Sequence, residues 1–260
     1  MRRVIFNQKG GVGKSSIACN LSAISAAAGY KTLVVDLDPQ GNSSQYLLGK
    51  DGIDARNNVA DFFEQTLSFN IFNKEPKDFV HSTCFENLYV MPSHQKLDEL
   101  IFKLENKHKI YKLRDALKTL SSEFDRVYID TAPALNFYTR SALIASEGVL
   151  IPFDCDAFSQ QALMNIMSEI NELREDHNRD LSFEGVIVNQ FQPQANLPTH
   201  LIEELQEEGY PVLPVYLGQS VKMRESHSAA TPLIYMAPRH KLTQQYVELY
   251  ECLEEVLAEV

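Results

Sequence analysis

The sequence predicts an α/β fold, a mostly parallel sheet with helices on both faces, and three observations carry that prediction. Short apolar runs recur along the 260 residues. Helix-length stretches separate most of them, as a parallel sheet covered on both faces requires. The first run leads through a glycine-rich loop straight into a helix. In chain order the strand-like runs are "RRVIF", "KTLVVDLD", "ENLYVMP", "RVYIDTA", "GVLIPFD", "FEGVIVNQF" and "YPVLPVY". The helical stretches are Ser15–Ala28, Ser93–Glu105, Lys109–Phe124, Ala157–Glu175 and Leu197–Glu208. Residues 49–86 interrupt the rhythm: they are polar, hold short helical pieces such as "VADFFEQ", and read as an insertion or lid-side segment. The closing stretch places Leu242, Tyr246, Leu249, Leu253 and Leu257 on one helical face, which packs on the body. Without repeats, low-complexity tracts or a long linker, residues 1–260 read as one domain.

Composition narrows the function. A hydrophobic content of 44% supports a buried core, and no apolar run approaches the ~18 residues of a membrane span. Met1-Arg2-Arg3 runs directly into a strand, so neither a signal peptide nor an N-terminal DNA-binding extension is expected. Cys19, Cys84, Cys155 and Cys252 are scattered without a C-x-x-C pair, which fits reduced thiols in the cytoplasm better than disulfides or a zinc site. The net charge of −11 opposes wholesale attraction to nucleic acid or anionic lipid. Lys222, Arg224, Arg239 and Lys241 face a single acid between Pro211 and Gln245, so a polyanion contact would have to be local.

The loop "NQKGGVGKSS" carries the chemistry. Between a strand and a helix N-terminus, free backbone N–H groups and the helix dipole converge on an anion. Gly10, Gly11 and Gly13 let the backbone curl around a phosphate. Lys14 would meet the β- and γ-phosphates, the Ser15 hydroxyl would ligate Mg²⁺, and Ser16 would add a bond to the α-phosphate. A glycine turn with incidental basic residues is the bland alternative, and strand, loop, helix and G-K-S together outweigh it. Asp130 ends the run "RVYIDTA", where a metal-associated carboxylate belongs. Asp36 and Asp38 end "KTLVVDLD", where a carboxylate could orient the attacking water. A plain D-P turn explains Pro39 and Gly41 but not two strand-end acids.

"NQKGGVGKSS", "VVDLDPQGNSS" and "YIDTAP" resemble, in order and spacing, the three nucleotide motifs of the ParA/MinD-type deviant Walker A ATPases. The likeness extends through "GVLIPFDCDAFSQQAL" and "GVIVNQF", and "DLDPQGN" places it in the ParA, partitioning and positioning, branch. The resemblance implies a single P-loop NTPase domain that hydrolyses ATP with Mg²⁺. It further implies an ATP-sandwich homodimer that hydrolysis resets, acting as a switch in positioning DNA or a protein cargo. Lys9 matches the signature lysine that reaches the partner's nucleotide, much as an arginine finger does. Gly10–Ser16, Val12 included, match the phosphate loop, Asp38 the hydrolytic aspartate, and Ser15 with Asp130 the metal residues. Asn189 matches an adenine-reading position, and Pro214, Val215 and Tyr216 would close that pocket. Partners implied are a ParB-like or adaptor protein that stimulates hydrolysis and non-specific DNA, with a cytoplasmic, nucleoid-associated location and no membrane.

Departures mark where the expectation thins. The family's "IPRNVRLAEA"-like basic run reads "LPVYLGQSVKMRESHSA" here: the first arginine is gone, while Lys222 and Arg224 keep positive charge for phosphate contacts. Isolated cysteines argue against the iron–sulfur members, and an acidic C-terminal helix argues against membrane recruitment. Two rivals stay open: an ATP-dependent metabolic ligase of the dethiobiotin- or cobyrinate-forming kind, and a protein-positioning switch that does not touch DNA.

Overall fold

A computed structural model describes residues 1–52, 54–68, 73–154, 159–192, 194 and 196–258. Its sheet consists of β1 (Arg2–Ile5), β2 (Thr32–Asp36), β3 (His81–Ser82), β4 (Leu88–Met91), β5 (Arg126–Asp130), β6 (Gly148–Phe153) and β7 (Ser182–Val188). The spatial order is β3-β4-β2-β5-β1-β6-β7. Every pairing is parallel except the edge pair β3–β4. β1 therefore lies inside the sheet, hydrogen-bonded to β5 and β6, and its C-terminal end opens between them.

Helices cover both faces. In chain order they are α1 (Lys14–Ala27), α2 (Asn42–Leu48), α3 (Val59–Gln65), α4 (Leu97–Asn106), α5 (Lys112–Leu120) and α6 (Phe137–Ala145). α7 (Ser159–His177), α8 (Asn196–Glu207), α9 (Val221–Ser228), α10 (Leu233–Met236) and α11 (Lys241–Ala258) follow. Successive strand residues part to opposite faces. Val4, Val127, Ile129, Val149 and Ile151 join the core under α3–α8, whereas Ile5, Tyr128, Leu150 and Ile187 join the core under α1 and α11. Burial on both faces explains the continuous apolar runs. Each such Val, Leu or Ile contributes about 1.5–3 kcal/mol.

Three expectations need correction. "YPVLPVY" is not a sheet strand: Val212 makes one isolated parallel bridge to Val186. Pro211 and Pro214 lack the N–H groups a ladder needs. The stretches Ser93–Glu105 and Lys109–Phe124 are helical only over Leu97–Asn106 and Lys112–Leu120. The helix placed from Ala157 starts at Ser159 among the described residues, since 155–158 fall outside them, and the Leu257 side chain is likewise outside. The 49–86 segment does contain the helix read from "VADFFEQ", capped by reciprocal bonds between Asn58 and Asp61. α3 is packed into the body. Phe63 packs edge-on against Phe137 and Tyr138 of α6, and Phe62 against Phe79, inside the larger core.

Candidate nucleotide site

The C-terminal ends of β1, β2, β5 and β6 converge on the glycine-rich loop. Asn7 anchors it: its amide donates to the Pro152 carbonyl at the end of β6 (2.7 Å), and its Oδ1 accepts the Lys9 N–H (2.9 Å). Gly13 sits at φ 91° as the N-cap of α1. A Cβ there would fall 2.3 Å from Asn189 Nδ2, so glycine is required both for backbone angle and for space. Asn189 donates to the Val12 carbonyl (2.8 Å) and Gln190 to that of Gly11 (2.9 Å), so the end of β7 grips the loop from the side.

The two lysines of the loop diverge. Lys14 is buried, and its ammonium donates to the Lys9 carbonyl across the loop (2.9 Å). Burial lowers its pKa, with Asp130 and Asp38 acting in the opposite sense. Lys9 turns outward at 34% side-chain exposure and pairs with Asp154, just beyond β6, at 2.6 Å. Next to it Gln8 donates to Glu169 of α7 (2.5 Å).

Beneath the loop stand the acids. Strand register places Asp36 directly beside Asp130, both fully buried. Burial, then repulsion from Asp130, pushes Asp36 up to about 8. Burial raises Asp130 to about 6, with the Ser15 and Ser43 hydroxyls pulling it back and Asp38 adding repulsion. Asp36 is committed to structure: its oxygens accept the Ser44 hydroxyl (2.6 Å), the Ser44 N–H (2.8 Å) and the Asp38 N–H (3.1 Å). Asp130 is only half committed. Ser43 donates to its Oδ2 at 2.7 Å, while its buried Oδ1 has no hydrogen-bond partner. An orphaned carboxylate oxygen beside a serine hydroxyl is a hard-oxygen donor set of the kind that suits Mg²⁺. Asp38 follows two residues beyond the end of β2, held by the Gln40 N–H on its Oδ1 (3.0 Å) and by Ser93 on its carbonyl (2.5 Å).

A cavity of about 520 Å³ adjoins the loop, lined by Gly13, Ser16, Asn189, Met223, Arg224 and Tyr246 among others. Pro214, Val215 and Tyr216, expected to close it, are not among its lining; Tyr216 packs edge-on against Phe191 instead. Gly218, Gln219, Ser220 and Val221 line the cavity. Arg224, expected to face DNA, borders this cavity, and Lys222 pairs with Glu225 at 2.5 Å. Local reading passed over Ser43, Ser44, Tyr46 and His227. The first two stood in the quoted "GNSS" and could have been matched to the acids just upstream.

A phosphate loop between β1 and α1, with paired strand-end acids beneath it, defines a P-loop nucleoside triphosphatase. The comparisons say which. The family model described as an AAA domain matches residues 3–183. The chain is 33% identical over 249 residues to the chromosome partitioning protein ParA of Myxococcus xanthus, covering 94% of this chain and 84% of that one. It is 30% identical over 250 residues to the sporulation initiation inhibitor protein Soj of Bacillus subtilis, covering 94% of each. Apo McdA of Cyanothece superposes with a TM-score of 0.84 at 22% identity, over 97% of this chain and 98% of that one. The Pyrococcus furiosus cell division ATPase MinD does so at 0.79 and 23%, over 98% and 99%. This chain belongs to the ParA/MinD-type P-loop ATPases, and it is an ATP hydrolase.

Proposed function

We propose that the protein is a Mg²⁺-dependent switch whose ATP-bound form is a sandwich dimer, used to partition or position DNA or a protein cargo and reset by hydrolysis. The divergence of the two lysines carries this reading. Lys14 points inward over Asp130 and Asp38, where its charge would meet the β- and γ-phosphates. Lys9 lies at the outer rim, where a second subunit's nucleotide could be reached once its bond to Asp154 opens. Asp130 and Ser15 would hold Mg²⁺, which when bound neutralises charge developing on the phosphates. Asp38 would orient the attacking water. Asn189, Gly13 and the cavity beyond would hold the nucleoside.

The name of the Myxococcus xanthus relative, a chromosome partitioning protein, supports a partitioning or positioning role; a ParB-like or adaptor protein would be the stimulator. Lys222 and Arg224 would supply phosphate contacts if DNA is the surface. The test is a DNA-binding titration with and without ATP, paired with light scattering. ATP-dependent DNA binding that weakens steeply with salt supports the DNA-riding form. Dimers without DNA binding support a protein-positioning switch. Turnover that answers to a small carboxylate, and not to DNA or an adaptor, would move the protein to the ligase branch. Lys9→Ala should retain ATP but lose the dimer; normal dimers in that variant remove the cross-subunit role.

A further inference from the structure

Three side chains from distant parts of the sequence meet beside Ser16, and the reading above uses none of them. His227 Nε2, on α9, lies 2.8 Å from the Ser16 hydroxyl oxygen. The imidazole stacks on Tyr46 of α2, with centroids 4.1 Å apart and planes 21° from parallel. Tyr46 is itself fixed: its hydroxyl shares a short hydrogen bond with Ser226 and accepts from Asn20 Nδ2 (3.3 Å). The same Asn20 amide donates to the Ser16 carbonyl (2.8 Å), and its Oδ1 accepts the Leu233 N–H (2.9 Å). The ring is thus held at one place and one tilt, on the loop residue read as the α-phosphate contact.

Burial lowers the His227 pKa, which favours a neutral ring with one N–H to give. A serine hydroxyl has one proton and two lone pairs. If the ring accepts, that proton is used up. If the ring donates, the proton remains for a phosphate oxygen. Simple packing would ask only for a flat ring on Tyr46, and a phenyl group would serve. The nitrogen aimed at Ser16 is what packing leaves unexplained. We propose that His227 is a positioning residue of the nucleotide site: its Nε2–H donates to Ser16 Oγ and leaves the hydroxyl proton directed at an α-phosphate oxygen. The inference rests on the loop being the ATP site. α9 also borders the nucleoside cavity through Met223 and Arg224, so one helix meets both the phosphate and the nucleoside side of the ligand.

The test measures ATP and ADP affinity by titration with fluorescent analogues in wild type, His227→Phe, His227→Gln, Ser16→Ala and the Ser16→Ala/His227→Phe double variant. Phe keeps the stack and removes the donor, so affinity should fall by about 3–10-fold. Gln restores a donor and should recover most of the loss. In the double variant, removing the ring nitrogen should cost nothing beyond Ser16→Ala, because the hydroxyl it orients is gone. Full additivity, or wild-type affinity in His227→Phe, overturns the proposal. If the Phe variant melts early, His227→Asn, whose amide is too short to reach, replaces it, and equal affinities for the Asn and Gln variants overturn the proposal. Absence of ATP binding by the wild-type protein overturns both the ATP reading and this inference. Normal wild-type binding with indifferent variants overturns this inference alone.

Discussion

The two ends of the sheet are equally buried and hold charge in opposite ways. At the N-terminal end, Arg3 is 1% exposed and surrounded by acceptors. Its Nε donates to both Glu184 oxygens (3.0 Å), Nη1 to Glu254 (2.8 Å) and Nη2 to the Leu253 carbonyl (2.9 Å). Arg126 closes the set on Glu254 at 2.6 Å. Burial works against the Arg3 charge, and Tyr128, Glu184 and Glu254 more than offset it, so its pKa is raised. At the C-terminal end, two acids stand side by side, both pushed upward, and one oxygen of Asp130 has no partner. The contrast separates what holds the fold from what awaits a ligand. A buried charge set with all partners present is architecture, whereas one left incomplete beneath a phosphate loop has the character of a binding site.

That contrast can be broken at either end. The largest expected effect is at the architectural one. Arg3→Ala strands Glu184 and leaves Glu254 to Arg126 alone, and should cost about 3–5 kcal/mol in denaturant unfolding, with Arg3→Met no better unless Glu184 is neutralised too. A loss under 1 kcal/mol would show that the network contributes little. Lys14→Ala should leave unfolding nearly unchanged while lowering ATP turnover about 10²–10³-fold. A variant that turns over normally would remove Lys14 from the phosphates.

The pH response sharpens the comparison. Asp36, at about 8 in the fold against about 3.9 in an unfolded chain, keeps its proton longer when folded. Its contribution is complete below the unfolded value and is lost as pH rises through the folded one. Denaturation in EDTA without nucleotide should therefore show stability falling by about 3–4 kcal/mol from pH 5 to 8. In Asp130→Asn the repulsion is gone, so the fall should be shallower; identical slopes would mean that the two acids do not interact. The smallest effect belongs to the exposed surface. Lys222→Ala breaks only the pair with Glu225 and should change stability by about 0.5 kcal/mol or less. If DNA is bound, the same change should lower the salt slope of that binding, and an unchanged slope removes Lys222 from the interface.

Much of the site was legible because its parts are local. The loop, Asp38 and Asp130 each sit where a strand stops, and a strand buried on both faces announces its end as an apolar run turning polar. The fold blurred where that signal fails. α6 is buried almost all round, Arg140 excepted, so it shows no amphipathic period to read. β3 has two residues, too few for any pattern, and the prolines of "YPVLPVY" matter only once a ladder is demanded. His227 was hidden for another reason. α9 was read for its cations alone, and the contact to Ser16 exists only because α1, α2 and α9 meet in three dimensions.

The central position of β1 has a consequence for how the protein is made. Arg2 pairs with Val127 and Arg3 with Gly148, so the first strand has no sheet neighbour until about half the chain exists. The loop that follows it gains its side grip from Asn189 and Ser16 its imidazole from His227 later still. The segment translated first thus waits for partners of long sequence separation, whose contacts form slowly. ATP that recognises only the finished loop stabilises the finished molecule by mass action. Nucleotide occupancy is then also a certificate of completed folding.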